Sequence, residues 1–305
     1  MKTISLGYSP CPNDTFIFYA MIHGKIDTED LQFKEILLDV ETLNHKALKA
    51  ELDVTKVSCR AFGNLRDNYA LLRAGGALGR GCGPLVVTKH DYSMEELRNK
   101  RIAIPGKLTT AFLLLQLFDP AFIRAYSNTP LHLYGLGYPA PTPTTDPGPL
   151  TPVVIEMPFH KIMDAVTNEE VDAGLIIHES RFTYPSYGLK QIIDLGEWWE
   201  KETGLPVPLG GIIARRALGE NLIRQIDTLL RLSVEHAFRN RAEPMDYIKK
   251  HSQELSDDVI NQHINLYVND FSIDIGQEGE KAVLELISRA EQAGIIPKTD
   301  QRIFI

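Results

Sequence analysis

One short segment of the chain carries side chains suited to moving a proton. His178, Glu179 and Arg181 follow residues 171–177 (VDAGLII), an apolar stretch with β-branched residues towards its end. Such a stretch is typical of a buried strand, and open α/β sheets bind ligands beyond the carboxyl ends of their strands. A histidine has a pKa near neutrality and accepts protons at cellular pH. His178 is therefore a candidate general base, and Glu179 or Arg181 either orients it or forms a surface ion pair.

Two other kinds of chemistry are disfavoured. Position 182 is Phe, so the segment lacks the second histidine of a zinc-protease motif. The three cysteines, Cys11, Cys59 and Cys82, include no Cys-x-x-Cys pair, so we predict neither a disulfide framework nor a zinc site. Cys11 and Cys59 are interpreted as small buried residues, since no base is evident beside either.

Composition limits the partners of the protein. The chain has 305 residues, of which 44% are hydrophobic and 24% charged, and this is enough for two domains with their own cores. Its net charge of −8 argues against nucleic acid, which binds clustered Lys and Arg. We identify neither a signal peptide nor an apolar run near the roughly 20 residues of a membrane helix. We therefore expect a cytoplasmic protein with no nucleic-acid or membrane partner.

Strands and helices alternate over much of the chain, which predicts an α/β architecture. The predicted strands of the first part are residues 3–8, 31–38, 54–58 and 70–74. A helix is predicted to run from a cap at Asn13 or Asp14 towards His23, and a second one over 41–51.

A glycine-rich stretch, residues 75–83, lacks the spacing of a dinucleotide fingerprint and precedes a strand, so we interpret it as a hinge. Beyond it, a strand over 101–104 and a helix over 109–118 are predicted, and the α/β rhythm resumes at 153. Residues 119–152 contain eight prolines and are expected to form neither helix nor central strand. This insertion is interpreted as a surface loop without a catalytic role rather than as an active-site lid.

The C-terminal part is predicted to be mostly helical after a strand over 205–214. The predicted helical runs lie near 220–239, 244–252, 256–268 and 278–293. We therefore predict a discontinuous lobe 1, residues 1–86 and 206–305, and a lobe 2, residues 87–205. Residues 47–58 and 165–178 both read as helix, acidic turn, strand and polar residue, so Ser58 and His178 are expected to end equivalent strands across a cleft.

Six motifs together resemble the 1,4-dihydroxy-6-naphthoate synthases of the futalosine-dependent route to menaquinone. They appear in the family's order along nearly the whole chain: 9–16 (SPCPNDTF), 56–58 (KVS), 83–85 (GPL), 105–111 (PGKLTTA), 178–181 (HESR) and 208–211 (PLGG). The resemblance implies a two-lobed fold like that of the class II periplasmic binding proteins, with a hinge and an interlobe cleft.

The resemblance also implies the reaction and its residues. Cyclic dehypoxanthinylfutalosine would be cleaved to 1,4-dihydroxy-6-naphthoate and dihydroxyacetone, with no metal or organic cofactor. His178 falls on the family's proton acceptor, and Lys56, Val57, Ser58, Thr109 and Thr110 fall on its substrate-binding positions. A helix N-terminus at the two threonines would favour an anion such as the substrate's aryl carboxylate.

Two alternatives stay open on sequence grounds. A sister enzyme on the same fold, such as a chorismate dehydratase, is disfavoured by His178 and Glu179, and a non-catalytic small-carboxylate-binding protein is disfavoured by the missing export signal. Cys59 and Arg60 replace the aromatic and small residues expected after Ser58. Arg60 either alters substrate orientation or points away from the site.

Overall fold

A computed structural model describes residues 2–128, 151–252 and 256–305. Contacts divide the chain into two units, each with its own sheet. Unit 1 comprises Met1–Gly83, Leu108–Thr110 and Trp199–Ile305, and unit 2 comprises Pro84–Lys107 and Ala111–Trp198. The sequence placed the lobe boundaries after residues 86 and 205 and did not assign Leu108–Thr110 to the first lobe.

The bounds of the elements in the described residues are as follows. The strands are β1 (Lys2–Tyr8), β2 (Leu31–Leu37), β3 (Val54–Ser58), β4 (Tyr69–Leu71), β5 (Ala77–Gly79), β6 (Leu85–Thr88), β7 (Arg101–Ile104), β8 (Val153–Glu156), β9 (Ala173–Ile176), β10 (Lys190–Asp194) and β11 (Val207–Arg215). The helices are α1 (Pro12–Ile22), α2 (Val40–Leu48), α3 (Cys59–Phe62), α4 (Thr110–Phe118), α5 (Ala121–Asn128), α6 (Phe159–Thr167), α7 (Ser180–Thr183), α8 (Leu195–Thr203), α9 (Glu220–Arg239), α10 (Met245–His251), α11 (Asp257–Tyr267), α12 (Asp270–Ile273) and α13 (Gly276–Gln292).

The two sheets share one strand order and one pattern of directions. Unit 1 has the order β2-β1-β3-β11-β4, with β5 also paired to β11, and unit 2 has the order β8-β7-β9-β6-β10. In both sheets the first three strands are parallel and the last two pairings are antiparallel. The parallel strands are connected through helices, as such pairs require. The predicted α/β architecture is confirmed in each unit.

The internal repeat predicted from the sequence is present in the backbone. Ala50 and Glu169 have φ of 52° and 61° just after their helices. Asp53 and Asp172 then precede the central strands, and each carboxylate accepts an amide hydrogen from the neighbouring strand, from Ser5 at 3.0 Å and from Arg101 at 2.9 Å. Each residue of the repeat in unit 1 therefore corresponds to the residue 119 positions later in unit 2, since 119 is the difference between 169 and 50.

The register of the repeat corrects one expectation. With Ala50 matched to Glu169, Ser58 corresponds to Ile177, and His178 corresponds to Cys59. The expected equivalence of Ser58 and His178 is therefore wrong by one residue. Strand β9 ends at Ile176, one position earlier in the repeat than Ser58 at the end of β3, so Ile177 already belongs to the turn after β9.

Helix packing explains the hydrophobic character of α1 and a glycine in β9. Nearly all of α1 is buried, and α9 lies against it through residues that include Ile226, Leu230 and Val234. The hydroxyl of Ser233 on α9 donates to Ile17 O of α1 at 2.6 Å and accepts the amide hydrogen of Met21, also on α1, at 3.2 Å. In unit 2, a Cβ at Gly174 would lie 2.4 Å from Ile162 of α6, so only glycine allows this close approach.

The sequence misplaced two helix starts. Helix α1 begins at Pro12 with Cys11 as its N-cap, and neither Asn13 nor Asp14 caps it. Proline suits the first helical position because its φ is already helical, and the Asp14 carboxylate instead accepts hydrogens from Ser9. Helix α5 starts directly after Pro120, where the Asp119 carboxylate accepts the amide hydrogen of Ala121 at 2.9 Å, so the prediction of no helix was wrong for Ala121–Asn128. The rest of the proline-rich insertion, residues 129–150, lies outside the described residues.

The glycine-rich stretch predicted as a hinge contains the short strand β5, which pairs with β11; its role as a hinge stays a prediction. None of the helices within the described residues is long and apolar enough to span a membrane.

Two tyrosines share one carboxylate in the core of unit 1. The hydroxyls of Tyr8 on β1 and Tyr247 on α10 both donate to Glu35 on β2, and the two hydroxyl oxygens lie 2.8 Å apart. Burial, followed by the hydrogen bond to Glu35, raises the pKa of both tyrosines well above the ordinary value near 10. Neither phenol can therefore ionise easily while the protein is folded.

We expect the free energy of unfolding to fall as the pH rises above about 10. The unfolded tyrosines release protons there while the folded ones keep theirs, so the stabilisation is complete below that pH and is lost above it. Tyr8→Phe should flatten this decline in urea unfolding at pH 9 to 11, whereas the exposed Tyr187→Phe should not. Equal slopes for Tyr8→Phe and the unmodified protein would contradict the assignment.

Candidate functional site

His178 lies at the carboxyl edge of the sheet of unit 2. The buried strand β9 ends at Ile176, and His178 follows two residues later, partly exposed. The predicted strand and the predicted position of the histidine after it are confirmed. The backbone of His178 has φ of 55°, in the left-handed region that residues with a side chain rarely adopt. Such outliers concentrate at functional sites, where the surroundings hold them.

An aromatic ring contacts the imidazole of His178. Phe159 is the first residue of α6, directly after β8, and its ring centroid lies 5.1 Å from that of His178 at an interplanar angle of 61°. Strands β8, β7 and β9 are parallel, so the segments that follow β8 and β9 lie at the same edge of the sheet. This edge-to-face geometry is one that aromatic pairs prefer.

A largely buried ion pair anchors the turn after His178. The Nη2 atom of Arg181 lies 2.6 Å from Oδ2 of Asp194, and the two side chains are 17% and 9% exposed. The other oxygen of Asp194 accepts the amide hydrogens of Gly196 and Glu197 at the start of α8. Strand β10 runs parallel to β9, because both pair antiparallel with β6. Asp194, which ends β10, thus lies at the same edge as His178.

In unit 1, the ammonium group of Lys56 is already paired with a carboxylate. Lys56 Nζ lies 2.7 Å from Asp14 Oδ1, and both side chains are almost fully buried. Asp14 also accepts hydrogens from the amide and hydroxyl of Ser9, at 3.2 and 2.8 Å, and from Asn13 Nδ2 at 2.8 Å. Because Asp14 compensates its charge, Lys56 attracts a substrate carboxylate less than an unpaired lysine would.

The network around Asp14 reaches helix α11. The ring of His263 is buried, and its Nε2 lies 3.0 Å from Asn13 Oδ1. Asn13 Nδ2 donates to Asp14, so its oxygen is the acceptor, and His263 Nε2 carries a hydrogen. The sequence motif 9–16 contains Asn13 and Asp14, but no local signal indicated their partners, which lie 250 and 42 residues away along the chain.

Ser58 and the segment Leu108–Thr110 contact each other within unit 1. The Ser58 hydroxyl donates to Leu108 O and accepts the amide hydrogen of Ala61 at 2.9 Å, at the start of α3. The Thr110 hydroxyl donates to Leu209 O and accepts the amide hydrogen of Arg60 at 3.3 Å. Thr109 and Thr110 are 3% exposed, and α4 begins at Thr110.

Two side chains of α2 hold the backbone of Leu108 and of Ser58 in place. Glu41 Oε1 accepts the amide hydrogen of Leu108 at 3.1 Å, and Asn44 Oδ1 accepts that of Ser58, also at 3.1 Å. Neither Glu41 nor Asn44 was singled out from the sequence. Both lie on one helix near residues 108–110, so the position of Thr109 and Thr110 depends on a contact between segments distant along the chain.

Val57 and the motif 208–211 have a packing role. The Val57 side chain is fully buried, so only its backbone is suited to meeting a ligand. A Cβ on Gly210 of β11 would lie 2.6 Å from Val57 O, which only glycine avoids. Gly210 therefore allows β11 to pair closely with β3, the strand that carries Lys56, whereas a Cβ on Gly211 would lie 2.6 Å from Leu71 of β4.

The departures from the family motif at Cys59 and Arg60 are both buried. The Arg60 guanidinium donates to Ile295 O at 3.0 Å, beyond the end of α13. Burial raises the pKa of the Cys59 thiol to about 12, so at neutral pH it stays protonated and does not act as a nucleophile. In residues 2–128, 151–252 and 256–305, no three His, Cys, Asp or Glu side chains are grouped as a metal ion would require.

Comparison with solved structures defines the class of fold. Protein AF1704 from Archaeoglobus fulgidus is 37% identical with a TM-score of 0.82, covering 96% of this chain and 98% of that one. A Candida albicans protein described as having the generic periplasmic binding protein fold gives a TM-score of 0.68 at 14% identity, covering 98% and 92%. The alkanesulfonate-binding protein SsuA from Xanthomonas axonopodis gives 0.63 at 13% identity, covering 97% and 94%. The chain thus has a periplasmic-binding-protein-like fold, as predicted.

Comparison of sequences then gives the family. The family model described as menaquinone biosynthesis matches residues 4–133 and 146–292. The 1,4-dihydroxy-6-naphthoate synthase of Thermus thermophilus is 46% identical over the full length of both chains, and that of Streptomyces coelicolor is 42% identical over 97% of this chain and 95% of its own. The chain belongs to this menaquinone biosynthesis family, and the resemblance to the synthases is confirmed.

The buried pair of Lys56 and Asp14 should be strongly coupled. We expect Asp14→Asn to destabilise the protein by about 3–5 kcal/mol, since it leaves a buried ammonium group without a counter-charge. Lys56→Met should cost less, because Asp14 keeps its hydrogen bonds to Ser9 and Asn13. Urea unfolding of both single variants and the double variant measures the coupling.

The matched control for this pair is Lys46 and Glu51, which are also 2.7 Å apart but 36% and 40% exposed. Lys46→Met should change the stability little. A coupling between Lys56 and Asp14 as small as that between Lys46 and Glu51 would contradict the prediction.

Cys59 should resist alkylation in the folded protein. At pH 8 iodoacetamide reacts with the thiolate, and the raised pKa together with burial leaves almost none at Cys59. Peptide mapping by mass spectrometry should find Cys59 modified in urea and unmodified without it. The partly exposed Cys11 is the internal comparison, and modification of native Cys59 at the rate of Cys11 would refute the expectation.

Proposed function

We propose that this protein converts cyclic dehypoxanthinylfutalosine to 1,4-dihydroxy-6-naphthoate and dihydroxyacetone, acting as a carbon–carbon lyase without metal or organic cofactor in the cytoplasm. The observation that carries the proposal is the 46% identity to the Thermus synthase along the full length of both chains. The motif 178–181, which places a histidine at the carboxyl edge of a sheet, supports the same conclusion.

His178 is the general base of the proposed reaction. Cleaving the substrate to form an aromatic ring requires that a proton leave a carbon or a hydroxyl group, and neutral imidazole accepts it near pH 7. The formation of the aromatic ring supplies driving force. The protein then has to align the base with the proton and keep the ring away from water.

Lys56, Val57, Ser58, Thr109 and Thr110 bind the substrate in this proposal. The hydroxyls of Ser58 and Thr110 already donate to backbone carbonyls, which makes them supports for the local backbone. The first amide groups of a helix have no partners within it and favour an anion. An aryl carboxylate is therefore best accommodated by backbone amides at the start of α4. Lys56 contributes less attraction, because Asp14 already balances its charge.

A second candidate is a non-catalytic protein that binds a small carboxylate. It is favoured by the solved structures of similar fold, since SsuA from Xanthomonas axonopodis is named an alkanesulfonate-binding protein. A sister enzyme such as a chorismate dehydratase is the third candidate, and it would use the same fold on another carboxylate. Only the proposed synthase releases naphthoate from the futalosine derivative, so product analysis separates the three.

His178→Asn should abolish turnover and largely preserve binding. The amide keeps polarity and approximate size but cannot accept the proton, so kcat should fall by at least about 10²-fold. The purified protein is incubated with cyclic dehypoxanthinylfutalosine without added metal, and the naphthoate is followed by absorbance and mass.

His90→Asn is the matched control. His90 is exposed and follows β6, which runs antiparallel to β9, so it lies at the opposite edge of the same sheet. This variant should keep full activity. Full activity in His178→Asn would exclude His178 as the base, and absence of product with the unmodified protein would exclude the proposed reaction.

A further inference from the structure

We propose that Arg181 and Phe159 are positioning residues that hold the imidazole of His178 in its reactive orientation. Neither residue needs to touch the substrate. The inference rests on the proposed role of His178 as the base, and it assigns to these two residues the alignment that this role requires. Three features of unit 2, one of the backbone and two of side chains, carry it.

The backbone at His178 needs support from its surroundings. A left-handed conformation at a residue other than glycine is unfavourable and persists only where other contacts impose it. One such contact is local, because the amide of Arg181 donates to His178 O at 3.3 Å and closes the turn. This long backbone hydrogen bond does not by itself fix the direction of the side chain.

Arg181 supplies the stronger constraint through Asp194. The contact of 2.6 Å is short, charge-assisted and mostly shielded from water, which makes it stronger than a surface ion pair. Asp194 is itself immobilised, because it ends β10 and accepts two amide hydrogens at the start of α8. The turn that begins at His178 is thereby fixed to β10, the strand on the far side of β6 in the same sheet.

Phe159 restricts the ring itself. Its centroid lies 5.1 Å from that of His178, so the ring occupies space into which the imidazole would otherwise rotate. Phe159 is the first residue of α6, so its own backbone is held in the first turn of a helix. A misplacement of the reacting group by about 1 Å can cost 10²-fold in rate, so removing the ring should affect the chemical step.

The experiment compares Arg181→Met and Phe159→Leu with Arg101→Met. Arg101 also pairs with an aspartate, Asp172, but at the other end of β9, so its loss tests for a general effect on the unit. We expect kcat to fall about 10- to 100-fold in the two test variants with KM changed less than about threefold. Arg101→Met should keep the unmodified kcat, and Phe159→Tyr, which retains the ring, should restore most of the activity.

A second measurement does not depend on turnover. In protein labelled with ¹³C at histidine Cε1, the His178 signal is identified by its loss in His178→Asn. Phe159→Leu should remove its ring-current shift, and Arg181→Met should broaden it or move it. This spectrum tests the positioning even when no substrate is converted, and Phe159→Leu tests it should Arg181→Met fail to fold.

The two proposals fail in different ways. Absence of product with the unmodified protein overturns the proposed reaction and leaves the spectrum as the test of positioning. Normal turnover by the unmodified protein, with kcat in Arg181→Met and Phe159→Leu equal to that in Arg101→Met, overturns the positioning role. An unchanged His178 signal in both variants overturns it as well.

Discussion

The burial of one central strand in each unit is the constraint on which the rest of the structure depends. Strands β3 and β9 are buried along their length, lie between two neighbours, and are parallel to one and antiparallel to the other. A strand in this position has its backbone groups paired on both sides and its side chains in the core. The residues at its end emerge at the carboxyl edge, where the motif 56–58 forms the end of β3 and the motif 178–181 follows β9. The repeated aspartates, Asp53 and Asp172, fix where each strand begins.

Much of the fold followed from the sequence because its signals are local. The strand β3 was predicted with its observed bounds, and the strand before His178 was recognised from its apolar run alone. Position after a buried strand sufficed to single out His178. Long helices such as α9 were also found, because their apolar periodicity persists over many residues.

The parts that could not be predicted depend on partners distant along the chain. Asp14 has the residue type of a helix cap, and only the fold shows that Lys56 and Ser9 claim its carboxylate. The sequence could not show where the Arg60 side chain points, because its hydrogen-bond acceptor, Ile295 O, lies 235 residues away along the chain. The helix α5 was missed because a proline-rich composition was read over the whole insertion, although Pro120 suits a helix start. The positions of the prolines in a segment therefore predict its helices better than the number of prolines does.

Strands β3 and β9 end one position apart in the repeat, and this difference has a consequence for where a reactive side chain can be placed on this fold. The two sheets match strand for strand, yet β3 is followed at once by a helix that buries Cys59, whereas β9 is followed by a left-handed turn at His178. Placing a histidine at position 59 would therefore bury it in the core. Under the proposed role of His178, the reactive group is specified by the few residues of the connecting turn and their anchors, so transferring it to another protein of this fold would require grafting the turn together with Arg181 and Asp194.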